Sequence, residues 1–345
     1  MPHDAETTVE TLPVIDISSF TFASAHTHAD RDITSKKWDK AMTDVGFALI
    51  TGHGVSAQTV DDMRAGATQY FTQSGEEKAR DIRGPYGCPD GGYTAMGAEA
   101  VGRTRDGHGA DGGNQPAAAA TKPPDLVESY VFKFREKFPE PPQMAAAAAT
   151  YALELQRVLA SLHEMSAQAL GLPLDFFSQY YRTPGDLSTL ADNCSMRLAY
   201  YPPLDAGQVS EGGGLRYGEH TDYTGFTILH QDADDLGELG SGGLEVKLPS
   251  GDFHAVRPVK GSFVVNIGDL YQVWTNDRWK STVHRVARPS RPCGARISIP
   301  FFTGPFNDAT ISAIPTCVAD GEHPKHAPTK VFDHLMRKVA ASQIT

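Results

Sequence analysis

The sequence lacks any paired-cysteine motif. Its 345 residues hold four cysteines, Cys88, Cys194, Cys293 and Cys317, widely scattered and with no CxxC pair. This spacing argues against a disulfide frame or a zinc site, and reduced, mostly buried thiols are expected. Long apolar runs are also missing, and no stretch approaches the roughly 18 apolar residues that a bilayer-spanning helix needs. Met1-Pro2-His3-Asp4-Ala5-Glu6 offers neither a basic n-region nor an apolar h-region, so no secretory signal and a cytoplasmic location are expected. No GxGxxG follows a strand and no GxxxxGK[ST] occurs, which leaves dinucleotide and P-loop readings unsupported. Runs of Lys and Arg are absent. With 31 Lys+Arg against 42 Asp+Glu the net charge is −11, a balance that repels phosphate backbones and excludes nucleic acid as an expected partner.

What is present is an ordinary globular composition, 40% hydrophobic and 21% charged, with ample material for a core. The first 180 residues mix strand and helix signals. Leu12 to Ile17 reads as a short strand. Ser35 is a candidate N-cap for a helix carrying Trp38, Met42 and Val45. Gly46 to Ile50 reads as a strand, and Ser56 as the cap of a helix carrying Val60, Met63, Ala67 and Tyr70. A longer helix is expected from about Thr150 to Gly171, with Val158, Leu162, Met165 and Ala169 as its buried stripe. Between these, Gly102–Pro124 is rich in Gly and Ala without a periodic apolar face, and reads as a flexible loop. From about Asn193 onward seven short strands follow one another, which favours a closed or sandwiched β core.

The chemistry concentrates in His220-Thr221-Asp222 and in His284. On an extended segment residues two apart share a face, so His220 and Asp222 can grip one ion, with His284 brought in on a second strand. Two imidazoles and one carboxylate with open positions describe the facial triad of non-haem Fe(II) oxygenases. Taken singly, His220 also fits a histidine hydrogen-bonded beside a turn, and His284 a strand histidine satisfied by a neighbour. Arg296-Ile297-Ser298 adds a guanidinium and a hydroxyl on one face of a strand, a receptor for a carboxylate. The apolar neighbours Ile297, Ile299, Phe301 and Phe302 imply burial, and a buried Arg needs an anionic partner.

In this order the motifs resemble the Fe(II)- and 2-oxoglutarate-dependent dioxygenases of the isopenicillin N synthase-like superfamily. Leu12-Pro13-Val14-Ile15-Asp16, Gly52-His53-Gly54-Val55, Gly92-Tyr93, Glu128-Ser129-Tyr130, Tyr200-Tyr201-Pro202-Pro203 and Val265-Asn266-Ile267-Gly268-Asp269 extend the resemblance over most of the chain. It implies a mainly β protein with flanking helices and a distorted double-stranded β-helix (jelly-roll) core. Residues 1–180, with the loop 102–124, would pack on a catalytic core of residues 181–345 as one structural unit. It assigns Fe(II) to His220, Asp222 and His284, and the distal carboxylate of 2-oxoglutarate to Arg296 and Ser298, with Tyr201 as a third donor. Where the family often carries Asn two residues before the matching Tyr, this chain has Ala199.

The activity implied is oxidation of a C–H bond in a small organic metabolite by O2, as hydroxylation, desaturation or ring closure, with release of succinate and CO2. Arg197, on the face of Tyr201, is the candidate partner for an anionic substrate group, the alternative being a structural salt bridge. Tyr130, Phe132 and Phe302 are candidate substrate contacts, against plain core packing. Metal binding needs neutral imidazoles, so iron affinity is expected to weaken below about pH 6.5. Rival readings are an oxidase on the same fold that needs no 2-oxoglutarate, a silent jelly-roll binding protein and a zinc hydrolase.

Overall fold

Short apolar segments punctuated by Gly, Pro and Asp fold into two facing sheets and a helical layer. The structure is a computed structural model describing residues 12–22, 25–83, 91–102, 124–134, 140–181, 187, 193–210, 215–231 and 243–342. Strands β1 (Val14–Asp16), β2 (Phe47–Thr51), β3 (Gly92–Thr94), β4 (Glu128–Phe132), β5 (Ser195–Tyr201), β7 (Phe226–Gln231), β10 (Phe263–Ile267) and β12 (Arg296–Phe302) form the larger sheet. Their spatial order is β1-β2-β10-β7-β12-β5-β4-β3, antiparallel except for β1 against β2. The smaller sheet is β6 (Leu215–His220), β11 (His284–Ala287), β8 (Gly243–Lys247) and β9 (Phe253–Ala255), in that order. A ribbon of β13 (Thr310–Ile311) and β14 (Thr329–Lys330) is a separate sheet whose Ile311 is buried in the main apolar cluster. The helices are α1 (Ser18–Thr21), α2 (His28–Asp44), α3 (Ala57–Phe71), α4 (Gly75–Ala79), α5 (Pro142–Ala169), α6 (Ala206–Ser210), α7 (Asp269–Trp274) and α8 (Val331–Ser342). This is the mainly β architecture with flanking helices expected from the sequence.

Period-two alternation decides what each central strand shows to either side. Phe226 and Ile228, Phe263 and Val265, Ile297, Ile299 and Phe301, and Met196 and Leu198 join one apolar cluster with the buried faces of α2, α3 and α5. From α5 these include Tyr151, Leu155, Val158, Leu162 and Met165, each burial stabilising by roughly 1.5–3 kcal/mol. The opposite faces look into the space between the sheets. Phe47, Leu49, Leu229, Leu244, Val246 and Val264 fill one part of that space. Val127, Ala199, Tyr201 and Val286 fill another.

Two helix starts differ from expectation. α2 begins a full two turns before Ser35, because Thr27 and Asp30 form a reciprocal capping box that satisfies the first free N–H groups. Ser35 lies inside the helix, where its hydroxyl donates back to the Asp32 carbonyl. α5 begins at Pro142 rather than near Thr150, since Pro suits the first helical position and the alanines that follow are strong helix formers. Ser56 does cap α3, accepting from Thr59 N at 3.0 Å. Gly171, with φ +69°, follows the end of α5 as expected. Apart from its end residues Gly102 and Pro124, the expected loop lies outside the described residues.

The helix–sheet interface buries His163 against Phe177, Tyr181 and Phe226, and its Nε2 has no hydrogen-bond partner among the described residues. Burial pushes this imidazole down to about 3, and burial followed by the Arg64 charge pushes His230 down to about 4. Both stay neutral in the fold while the unfolded chain takes up protons below about pH 6.5. Acidification from pH 7.5 to 5.5 should therefore lower unfolding stability by on the order of 1 kcal/mol per histidine. Urea midpoints at the two pH values check this, and His163→Phe should reduce the drop.

Candidate active site

The smaller sheet places two histidines directly opposite each other. His220 ends β6, His284 begins β11, and the two are cross-strand partners with ring centroids 4.2 Å apart. Asp222 lies two residues beyond the end of β6, in the loop rather than on the strand, so the expected single extended segment is corrected there. Backbone grips take over the strand's role. The start of α7 holds the loop through Asp269 N to Asp222 O at 2.9 Å and Leu270 N to Thr224 O at 3.2 Å. Gly268 allows this approach, since an added Cβ would lie 2.8 Å from the Thr224 carbonyl oxygen and 3.0 Å from that of Asp222.

The side chains are oriented as a donor set. His220 Nδ1 donates to the Gly218 carbonyl at 2.8 Å and His284 Nδ1 to the Thr282 carbonyl at 3.1 Å. A carbonyl can only accept, so both protons sit on Nδ1 and both Nε2 lone pairs are free. Asp222 Oδ2 accepts from Thr227 Oγ1 and Asn266 Nδ2, each at 2.5 Å, which leaves Oδ1 facing both Nε2 atoms at 3.7 Å. All three ligand atoms lie within 4.8 Å of one another and all three residues are buried. Two neutral imidazoles and one carboxylate with held outer partners suit a divalent metal of the iron class. Burial and then the neighbouring His284 ring push His220 down to about 3. The His220 imidazole is thereby held neutral, the form that can donate a lone pair to a metal.

The larger sheet supplies the facing wall. Arg296 on β12 is the cross-strand partner of Tyr201 on β5, and its guanidinium lies 5.1 Å from that ring's centroid. Ser298 falls on the same face of β12. Arg296 is 4% exposed, and its Nε and Nη1 have no hydrogen-bond partner among the described residues. Arg216 is also close to Tyr201 but is held by the Pro202 carbonyl and the Cys293 sulfur, neither of them a carboxylate. This end of the inter-sheet space thus carries buried positive charge in want of an anion.

Two cavities meet at His220 and Asp222. The inner one, about 70 Å³, is lined by Tyr201, Ser298, His220, Asp222, His284 and Ala199 among others. The outer one, about 170 Å³, shares His220, Asp222, Arg197 and Phe302, and extends to Glu99, Val131 and α8. The structure therefore brings together His220, Asp222, His284, Ser298, Tyr201, Arg197 and Phe302, with Arg296 against Tyr201. It does not bring in Tyr130 or Phe132. In the β4–β5 register Tyr130 faces Leu198, on the helix side, and its hydroxyl donates to Glu140 while accepting from Arg83. Phe132 is fully buried in the same cluster. The residue of β4 that lines the cavity is Val131, partner of Arg197. Arg197 forms the salt bridge weighed as its alternative role, with Nη2 2.7 Å from Glu99 Oε2, while its buried Nε has no partner among the described residues.

Comparison with known proteins is decisive at this point. The profile of the 2OG-Fe(II) oxygenase superfamily matches residues 192–305, and that of the non-haem dioxygenase N-terminal region (in morphine synthesis) matches residues 12–146. A 2-oxoglutarate-Fe(II) type oxidoreductase, ppzC of Metarhizium rileyi, is 30% identical, over 95% of this chain and 86% of its own. The chain belongs to the 2OG-Fe(II) oxygenase superfamily. Gibberellin 2-beta-dioxygenase of Phaseolus coccineus is 28% identical over 90% of this oxygenase and 82% of that relative. In fold, it resembles the Neurospora crassa T7H structure in complex with alpha-KG at a TM-score of 0.78, with 24% identity and 99% of each chain covered. The jelly-roll expectation is thereby borne out, and the oxygenase is an Fe(II)- and 2-oxoglutarate-dependent enzyme by class.

Sequence reasoning missed one wall of this oxygenase's site. Leu335 and Val339 of α8 line the outer cavity. The helix is fixed there by Lys338, 5% exposed, whose Nζ lies 2.8 Å from Asp269 Oδ2 and 3.3 Å from Thr221 Oγ1, between two candidate ligands. Burial alone would raise the Asp269 carboxyl, but His334, Lys338 and Ser281 outweigh it and hold it at about 2. The spacing of Val331, Leu335 and Val339 was the available signal. The clamp on Asp222 is testable directly. Asn266→Leu, which removes one donor to Oδ2, should weaken Fe(II) or Mn(II) binding roughly 10- to 100-fold by calorimetry while leaving the circular dichroism spectrum unchanged.

Proposed function

We propose that His220 Nε2, Asp222 Oδ1 and His284 Nε2 hold Fe(II), and that Arg296, Ser298 and Tyr201 hold the distal carboxylate of 2-oxoglutarate in the inner cavity. The observation that carries this reading is the pairing of a converging His-Asp-His donor set with a buried Arg296 whose Nε and Nη1 lack partners among the described residues. A buried guanidinium left so is strongly unfavourable until an anion meets it. Ser298, two residues along the strand, adds a hydroxyl donor beside the fork.

With metal and co-substrate bound, iron and 2-oxoglutarate supply the oxidising power: O2 is reduced, 2-oxoglutarate leaves as succinate and CO2, and a substrate C–H bond is oxidised. The protein's own work is placement. Thr227 and Asn266 fix one carboxylate oxygen of Asp222 so that the other faces the metal position. The Gly218 and Thr282 carbonyls fix the two imidazoles in the tautomer that presents Nε2. Phe302, Val101, Val131, Leu335 and Val339 enclose the outer cavity with apolar surface and keep water from the reacting carbon. The substrate is a small organic molecule whose oxidisable carbon enters by that cavity.

Anaerobic titration of the Fe(II) protein with 2-oxoglutarate tests the assignment through the visible charge-transfer band of the chelate. Arg296→Ala should weaken co-substrate binding by about 2–3 kcal/mol, roughly 30- to 150-fold, with iron binding intact. His220→Ala should abolish the band at stoichiometric iron. Unchanged 2-oxoglutarate affinity in Arg296→Ala, or substrate turnover by iron-loaded enzyme without succinate, would sink the reading.

A further inference from the structure

Beside the candidate ligands His220 and Asp222, the outer cavity is lined by one buried charged pair, Glu99 and Arg197. Arg197 Nη2 donates to Glu99 Oε2 at 2.7 Å and Nη1 donates to the Tyr217 hydroxyl at 2.9 Å. Both charged side chains are only 11% exposed. Tyr217 stands edge-on to His220 with ring centroids 5.0 Å apart, which puts the pair beside a candidate iron ligand rather than at the mouth. Glu99 uses one carboxylate oxygen on Arg197 and leaves Oε1 without a partner among the described residues. Lys133, the other cation lining this cavity, is half-exposed and has a partner of its own.

The charges therefore sort the two cavities. Arg296 and Arg216 flank Tyr201, which lines the inner cavity, with no carboxylate among their partners in the described residues, and this end attracts a dianion. Arg197 lines both cavities: its charge is paired with Glu99, its Nε is buried without a partner among the described residues, and the open carboxylate oxygen of the pair is Glu99 Oε1. Asp125 lies behind the pair: its two oxygens accept from Val101 N and Gly218 N, both at 2.8 Å, and burial pushes its carboxyl up to about 7. A substrate carboxylate would gain little from Arg197 and would be repelled by Glu99, whereas an N–H or O–H group finds a ready acceptor.

We infer that the Glu99–Arg197 pair is a charge filter, and that the substrate's polar head is uncharged and carries a hydrogen-bond donor, as in a carboxamide, lactam or alcohol. Carboxylates, 2-oxoglutarate included, are refused from the outer cavity and directed to Arg296. Glu99 is thus a specificity-determining residue. The inference rests on the iron and 2-oxoglutarate assignment above and names the substrate class for that site.

Matched carboxamide and carboxylate probes on the same ring, benzene, cyclohexane and indane, provide the test. Binding to the anaerobic Fe(II)–2-oxoglutarate protein is read by ligand-observed NMR, and triggered succinate release is read separately in air. In the unaltered protein at least one carboxamide should bind tenfold or more tightly than its carboxylate. Glu99→Gln keeps the shape and frees the Arg197 charge, so the preference should reverse by a further tenfold or more. The double variant Glu99→Gln, Arg197→Gln should bind both members of a pair within about threefold, and it serves if the single variant does not fold. Equal or preferred carboxylate binding by the unaltered protein, no carboxamide binding at all, or an unchanged ratio in the variants would overturn the filter. The chelate band is recorded first in each protein: its absence counts against the iron and 2-oxoglutarate assignment, while an intact band with unaltered selectivity counts against the filter alone.

Discussion

The face alternation of the central strands is the constraint on which the rest of the molecule depends. β5, β7, β10 and β12 each give one face to the helices and the other to the space between the sheets. The helix-facing residues are almost uniformly large and apolar, and their burial anchors the strands against sliding. A slip of one residue would send Arg296, Ser298, Thr227 and Asn266 into the helical layer and bring Ile297, Ile299, Ile228 and Val265 to the cavity. The packing energy that holds α5 to the sheet is thus the same energy that holds the chemistry in register.

The smaller sheet then contributes what the larger sheet faces. Cross-strand pairing brings His220 and His284 together without a loop, and α7 brings Asp222 to them through backbone hydrogen bonds. Lys338 ties α8 to the same junction through Asp269 and Thr221. Metal position, cavity wall and loop backbone share these few contacts. Electrostatics divides the space further, with cationic donors that lack partners among the described residues at the inner end and the paired Glu99 and Arg197 lining the outer cavity.

Much of the site could be read in the sequence because its residues follow local rules. Arg296 with Ser298, and Arg197 with Ala199 and Tyr201, are spaced by two on strands whose apolar partners announce the parity. Tyr130 and Phe132 misled because β4 is short and its parity is set by register against β5, in which Val131 meets Arg197. β6 carries Leu215, Arg216, Tyr217, Gly218 and Glu219, with no clean alternation, and only pairing with β11 makes it a strand. Glu99 gave no signal, since its partner lies 98 residues away. The two roles weighed for Arg197 stayed open for that reason: the guanidinium is where the sequence placed it, and its counter-ion was invisible until the chain was folded.

The central claim is that one metal position and one carboxylate receptor face each other across the two sheets. A crystal structure of the protein loaded anaerobically with Mn(II) in place of iron and with 2-oxoglutarate, with the metal located by anomalous scattering, tests it most directly. The account predicts a single metal peak bonded to His220 Nε2, Asp222 Oδ1 and His284 Nε2, with the distal carboxylate of 2-oxoglutarate on Arg296 and Ser298. A metal bound elsewhere, or 2-oxoglutarate lying with its carboxylate on Arg197 while Arg296 stays unpaired, would contradict it.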